Sequence, residues 1–289
     1  MIRAVGGHLM WGGAGFKAWA AMEHYWLTHD RKYLAKVYPR LIASSRWQER
    51  ERARTRVTSG TERPLTYGLM PRGMGDCGLM DDDDFYGVFL PHNIWAVYAD
   101  RLSVQAAEIL GKRKDLAELE RIHESARTDL LQAIDRGAIH EQDYRWIPGA
   151  SGKTSGSRWG ALNACFPCRL LPADHELITG RLRHIEAHLS PGGIPVGTGW
   201  MQDGMWVAIT LDNVAETQLA RGNGMLWRAI FTRRSIMARH FSHGARNAAR
   251  RRARPTIVAT ASIFGRPWQS CAASVTHSCW KTATGCNSP

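Results

Sequence analysis

The chain has 289 residues, of which 44% are hydrophobic and 22% charged, with 12 Trp, 28 Gly and 12 Pro. This composition excludes disordered and fibrous classes and suits one large domain or two small ones with an apolar core. No run approaches the roughly 18 apolar residues of a membrane span, and Lys17 and Glu23 interrupt the segment where a signal peptide would be apolar. We therefore expect no membrane partner and, by default, a cytoplasmic location.

The net charge of +12 belongs to one end of the chain. Residues 1–216 hold all 26 acidic residues and 26 of the 38 basic ones, whereas 217–289 contain no carboxylate. The Arg-rich tail, with Arg250, Arg251, Arg252 and Arg254, is the one feature that suggests binding to nucleic acid. Because the body is electrically balanced, we do not favour that function.

Apolar residues recur near a spacing of 3.6 through the body, which predicts an all-α fold. In chain order, helices are predicted at 14–28, 31–54, 92–110, from 112–114 onward, 158–171, 173–189 and 205–221. The connections alternate between short ones (29–31, 111–114 and 172) and long ones (55–91, 138–157 and 190–204). Short turns make antiparallel hairpins, so all three long loops are expected at one end, where functional residues gather.

Carboxylates and aromatic side chains concentrate in these long loops. Flat rings beside carboxylates suit a sugar, and glycosidic hydrolysis needs one carboxylic acid and a second carboxylate. The candidate catalytic residues are Asp76, Asp82, Asp83 and Asp84. The candidate substrate-binding residues are Tyr86, His92, Trp146, Trp159, Trp200, Asp203 and Trp206.

Other interpretations of these residues are considered beside this one. The acidic run 81–84 is also compatible with a solvated turn or a calcium-binding loop, although EF-hand spacing is absent. Asn93 is as compatible with a helix cap as with a ligand, and residues 151–154 do not complete a phosphate loop. Cys165 and Cys168 have CxxC spacing, which in isolation favours buried apolar packing over metal or redox chemistry. We expect no metal and no cofactor.

Three segments carry a resemblance to a known superfamily: 23–41, Tyr67-Gly-Leu-Met-Pro, and Asn93-Ile-Trp opening a helix that ends at Gly111. Residues 8–228 resemble the six-hairpin glycosidases, the (α/α)6 toroids of the glucoamylase, trehalase and rhamnosidase type. The resemblance implies a glycan substrate, an acid in a mid-chain loop and a partner carboxylate nearer the C-terminus. By position, 76–84 matches the first acid, and Trp146, Trp200 and Trp206 match sugar platforms.

The chain departs from the complete toroid in two respects. Seven predicted helices replace twelve, and the chain opens inside what resembles a later hairpin, so we expect a partial toroid (1–230) with a truncated N-terminus. Carboxylates end at Glu216 and amphipathicity fades after Trp227, so we interpret the irregular basic tail (231–289) as a translation in the wrong reading frame that begins near 224–232. The partner carboxylate is then missing, which predicts a catalytically inactive domain.

Two other functions remain open from the residues. Related helical barrels also support phosphorolysis and polysaccharide elimination. These reactions need a phosphate-binding Arg/His cluster or a tyrosine base, and Tyr86 or Tyr144 would serve as that base. A non-catalytic carbohydrate-binding domain is the alternative from another class. The sequence predicts neither the glycan nor the stereochemical outcome.

Overall fold

A computed structural model describes residues 11–75, 86–153, 160–189 and 207–225, all within the first of two units, residues 1–227. The described residues are mostly helical and have only two short antiparallel hairpins, so the predicted all-α class is confirmed. The elements are α1 (Gly13–Thr28), α2 (Arg31–Ala53), β1 (Gly73–Met74), β2 (Tyr86–Gly87), α3 (Leu90–Leu110), α4 (Arg113–Gly137), β3 (Ile139–Glu141), β4 (Tyr144–Trp146), a 3-10 turn (Ala161–Ala164), α5 (Glu176–Ala187) and α6 (Val207–Ala220).

Two tight turns join the first four helices into pairs, as the sequence predicts. After α1, His29 adopts the left-handed conformation and Asp30 caps α2 by accepting a hydrogen bond from the Tyr33 amide at 2.9 Å. After α3, Gly111 adopts a φ of 68° and the Lys112 amide bonds back to the Ala107 carbonyl at 2.8 Å. Local chemistry therefore sets both helix ends.

Contacts between the helices define their directions. Ser45 of α2 meets Ser103 of α3 and Arg52 meets Asp100, so these two helices run antiparallel. In contrast, Gly12, just before α1, lies against His92 of α3, and Phe16 of α1 lies against Trp95. The contacts advance in the same direction along both helices, so α1 and α3 run parallel. Similarly, Tyr38 of α2 contacts Asp115 of α4 and Arg46 contacts Glu118, so α2 and α4 run parallel.

The helix α3 occupies the interior of this arrangement. Fifteen of its 21 residues are buried, among them nearly all of Leu90–Ser103 on every face of the helix. A helix that is apolar all round is stable only when other elements cover it, and α1, α2 and α4 all pack against α3. The α3 helix is therefore the scaffold to which the surrounding loops attach.

One predicted helix is wrong. The sequence analysis expects a helix over 158–171, but the described part of this segment holds only the 3-10 turn Ala161–Ala164 followed by turns. Pro167 has no amide to donate, and the Asn163 side chain donates to the Phe166 carbonyl while accepting from Trp95 Nε1, each at 3.2 Å. Successive turns, closed by backbone hydrogen bonds such as that of the Leu170 amide to the Ala164 carbonyl at 2.7 Å, take the place of a continuous helix. The other predicted helices end within three residues of the observed ends.

Within the described ranges, no helix combines the length and the hydropathy needed to cross a lipid bilayer. The predicted tail, 231–289, lies outside the described residues, so the expectation of a frameshift and the boundary near residue 230 stay predictions.

The contact between α1 and α3 depends on a glycine. A Cβ added at Gly15 would lie 2.3 Å from the Trp95 carbonyl oxygen, which is backbone and has no side-chain freedom to move away. We expect Gly15→Ala to lower the free energy of unfolding by about 1–3 kcal/mol through overpacking, although alanine favours helix by about 0.5–1 kcal/mol.

Denaturant unfolding checks this prediction. Gly13→Ala is the matched control on the same helix, because a Cβ at Gly13 meets nothing within 4 Å. The control is expected to be neutral or slightly stabilising. Equal unfolding midpoints for the two variants would show that α1 and α3 are not in close backbone contact.

Candidate functional site

Most of the predicted site residues cannot be placed. Eight of them lie outside the described residues: Asp76, Asp82, Asp83, Asp84, Trp159, Trp200, Asp203 and Trp206. The remaining three, Tyr86, His92 and Trp146, have defined positions, and they lie in different environments.

Tyr86 and His92 lie on either side of the start of α3. Tyr86 belongs to β2, pairs with Met74 of β1 and is 43% exposed. His92, in the first turn of α3, is only 2% exposed and packs edge-to-face against Phe89, with ring centroids 5.6 Å apart. In this conformation Tyr86 offers a binding surface and His92 offers almost none.

Segments distant in the sequence converge around the N-terminus of α3. The Leu90 amide donates to the Gly149 carbonyl at 2.9 Å, and Phe89 forms a β-bridge with Ala150. Gly12, just before α1, lies against the His92 side chain. We call this region the loop end and define it as residues 66–75, 86–93 and 147–153.

Asn93 fastens the first long loop to α3. Its side-chain Oδ1 accepts a hydrogen bond from the Met70 amide at 2.7 Å, and its Nδ2 donates to the Phe89 carbonyl at 2.8 Å. The side chain is buried, so both bonds are shielded from water. Asn93 therefore acts neither as the helix cap nor as an exposed ligand, the two roles considered from the sequence.

The segment that follows the second long loop is fastened to the same helix further along. Trp95 is buried and donates its indole N–H to Asn163. The Gly160 amide donates to Asn213 Oδ1 on α6 at 3.2 Å, which connects this segment to the last described helix. The contacts of Phe89 and Leu90 with Gly149 and Ala150 show that loops 55–91 and 138–157 share one end of the bundle in their described parts. The third long loop, 190–204, lies outside the described residues.

Trp146 lies away from solvent in a cluster that the sequence analysis did not predict. It is 3% exposed and stacks on His184, with ring centroids 3.7 Å apart and the planes inclined by 14°. His184 Nδ1 lies 2.7 Å from Glu141 Oε2, and His188 follows four residues later as the C-cap of α5. We call Glu141, His184 and His188 the histidine cluster.

The electrostatics of the histidine cluster favour a neutral imidazole beside a carboxylate. Burial, reinforced by the nearby positive charge of Arg181, lowers the pKa of His184 to about 4, against the opposing effect of its bond to Glu141. Burial acts to raise the pKa of Glu141, but the opposing effects of His184, Trp146 and His188 together outweigh it and the pKa is lowered. At neutral pH the cluster therefore holds one carboxylate and an uncharged His184.

A close backbone contact holds α5 against the hairpin of β3 and β4. A Cβ at Gly180 would overlap the Arg145 carbonyl, so only glycine fits at this position. Outside this contact lies an open cavity of about 540 Å³, flanked by the ion pair of Arg183 with Asp143 at 2.7 Å and that of Arg145 with Glu176 at 3.2 Å. The hairpin and α5 therefore form one compact unit.

The CxxC pair has the apolar character expected from the sequence. Cys165 and Cys168 are free and buried. Burial raises the pKa of Cys165 to about 11 and also raises that of Cys168. Thiols held in the protonated form are poor nucleophiles and poor metal ligands.

Comparison with family models, with curated proteins and with solved structures gives no match for this chain. The functional assignment therefore depends on the residues and geometry described above.

Proposed function

We propose that this chain is a glycoside hydrolase-like domain that binds a glycan at the loop end. The observation that carries the proposal is the convergence of two long loops on the N-terminus of α3, through the bonds of Leu90 to Gly149 and of Asn93 to Met70. Loops of this length that meet at one end of a helical scaffold are typical of binding and catalytic sites.

The directions of the helices support the glycosidase-like architecture. The buried helix α3 runs parallel to α1, and α2 and α4 run parallel to each other in the opposite direction. Two layers of parallel helices joined as hairpins are what part of an (α/α)6 toroid requires. The resemblance of residues 8–228 to six-hairpin glycosidases implies the same arrangement.

The position of the acidic segment supports the choice of site. Met74 and Tyr86 pair across β1 and β2 at the loop end. Asp76 follows Met74 by two residues, and Asp84 precedes Tyr86 by two. A residue spans at most about 3.6 Å of chain. Asp76 and Asp82–Asp84 are thus separated in sequence by only two to four residues from the paired residues Met74 and Tyr86, which supports the loop end as the site.

The missing carboxylates of the tail point to binding without turnover. Hydrolysis requires a second carboxylate, which the resemblance places near the C-terminus, yet 217–289 contain none. We propose that the 289-residue chain binds its glycan and does not cleave it.

A glycan array probed with the full chain tests the binding proposal. We expect one class of glycan to be retained, with affinity lowered about tenfold (~1.4 kcal/mol) in Tyr86→Ala through loss of ring stacking. Tyr33→Ala is the matched control, because Tyr33 lies at the opposite end of the bundle, beside the turn between α1 and α2.

The outcomes separate the two parts of the proposal. Retention of no glycan, or equal losses in Tyr86→Ala and Tyr33→Ala, would refute a sugar site at the loop end. Release of reducing sugar from a bound glycan would leave the site in place and refute only the absence of turnover. An Asp76→Asn or Asp83→Asn variant that kept such turnover would exclude that residue as the acid.

A further inference from the structure

We propose that the histidine cluster, Glu141 with His184 and His188, binds a first-row divalent transition-metal ion of the Zn²⁺ type. This site is separate from the proposed glycan function and does not depend on it. The ligand atoms of the three side chains all lie within 4.8 Å of one another. Among the described residues, no other set of three such side chains comes together in this way.

The donor set matches the ligand preferences of this class of metal. Two imidazoles and one carboxylate bind Zn²⁺ and its neighbours in the first transition row, whereas Ca²⁺ and Mg²⁺ select sites made only of oxygen atoms. His184 lies in the last turn of α5 and His188, four residues later, is the C-cap of that helix, so the two side chains lie on the same side of the helix end. Glu141 comes from β3 and completes the set from across the contact between α5 and the hairpin.

Neighbouring contacts orient the two imidazoles. His188 Nδ1 lies 2.8 Å from the His184 carbonyl oxygen, so this nitrogen carries the proton and Nε2 keeps its lone pair for a metal. His184 is held by its stack on Trp146, and the two histidine rings have centroids 4.4 Å apart. The ligand rings are therefore largely positioned before a metal binds.

The remaining adjustment is small and lies in the side chains. Tetrahedral ligands at about 2.0–2.1 Å from Zn²⁺ are about 3.3 Å from each other. His184 Nδ1 and Glu141 Oε2, at 2.7 Å, are already closer than this, so binding of a metal between them replaces a hydrogen bond by two metal bonds. His188, the residue that follows α5, is half-buried, and its ligand atom lies within 4.8 Å of those of the other two side chains.

The local charge and the solvent exposure of Glu141 also favour the binding of a cation at the histidine cluster. The C-terminal end of a helix carries partial negative charge, and both histidines lie in or just after the last two turns of α5. The Glu141 side chain is 33% exposed, so water or another ligand can complete the coordination. Three protein ligands with an open fourth position are the pattern of zinc sites that bind or activate a further molecule.

Titration of the full, chelator-treated chain with Zn²⁺, followed calorimetrically, tests the site. We expect one Zn²⁺ per chain, and with Co²⁺ in its place the visible absorption bands of tetrahedral coordination. Glu141→Gln and His188→Gln should each weaken binding at least tenfold. His140→Gln is the matched control, because His140 neighbours Glu141 on β3 but is exposed and points to the other face of the strand.

Circular dichroism of each variant shows whether it is folded, so that a loss of Zn²⁺ binding is not mistaken for unfolding. A folded Glu141→Gln or His188→Gln chain that binds Zn²⁺ as tightly as the wild type would overturn the proposal. Absence of stoichiometric binding by the wild type, or an equal loss in His140→Gln, would also overturn it. Since glycan binding is measured separately on the array, failure of one proposal is distinguishable from failure of the other.

Discussion

Replacing Arg52 by methionine is expected to lower the free energy of unfolding by about 3–5 kcal/mol. Arg52 on α2 is buried and forms an ion pair at 2.8 Å with Asp100 on α3, which has no solvent exposure. Gln48 donates a second hydrogen bond to Asp100 at 3.0 Å. Burial raises the pKa of Asp100, and the positive charge of Arg52 opposes this rise. The ionised form of Asp100 therefore depends on the Arg52 guanidinium. Removing Arg52 leaves a buried acidic group without its counter-charge.

Two further variants distinguish this explanation from a general effect of losing an arginine. Arg54→Met removes an arginine two residues along, whose side chain is 70% exposed and bound only to Glu51, so a change below about 0.5 kcal/mol is expected. Adding Asp100→Leu to Arg52→Met removes both charges and should recover much of the loss. If urea unfolding gave equal values for Arg52→Met and Arg54→Met, the buried pair would not contribute as the structure indicates.

Stability is expected to fall as the pH is lowered from about 6.5 to 4, in part because of His123 on α4. Burial lowers the pKa of His123 to about 4, and the neighbouring Arg101 adds to this effect. Glu124 acts in the opposite direction, and Arg127 acts with Arg101. In the unfolded chain the imidazole has its ordinary pKa near 6.5, so between these two values the unfolded state binds more protons than the folded state.

The size of the effect follows from the linkage relation. Each unit of pKa difference corresponds to about 1.4 kcal/mol, so His123 contributes at most about 3 kcal/mol, all of it lost below pH 4. Chemical unfolding at a series of pH values checks this prediction. His123→Gln should flatten the dependence between pH 6.5 and 4, whereas His24→Gln, which removes an exposed histidine from α1, should not. A slope unchanged by His123→Gln would contradict the assignment.

The sequence predicts the helices well where their ends have local causes. Asp30 and Gly111 are capping residues whose hydrogen bonds are to residues nearby in the sequence. The turns at 29–30 and 111–112 can therefore be predicted without knowledge of the tertiary structure. The helix expected at 158–171 fails because its structure depends on Trp95, a partner 68 residues away that holds the Asn163 side chain. Periodicity carries no information about such a bond.

The buried pair of Arg52 with Asp100 and the histidine cluster also depend on tertiary contacts that the sequence does not predict. Arg52 and Asp100 lie on correctly predicted helices, but the sequence does not show which charged residues of α2 and α3 face each other. The spacing of His184 and His188 inside a predicted helix is a visible signal for a shared face. Glu141, 43 residues before His184, joins them only because β3 packs against α5. Trp146, expected as a sugar platform, covers His184 instead in the described structure.

The central claim is that the loop end binds a glycan. Hydrogen exchange of the full chain, measured with and without a glycan retained on the array, tests it most directly. The account predicts that the glycan slows amide exchange in 66–75, 86–93 and 147–153, and leaves the turns at 29–30 and 111–112 unchanged. Protection confined to those turns, or to 217–289, would contradict it.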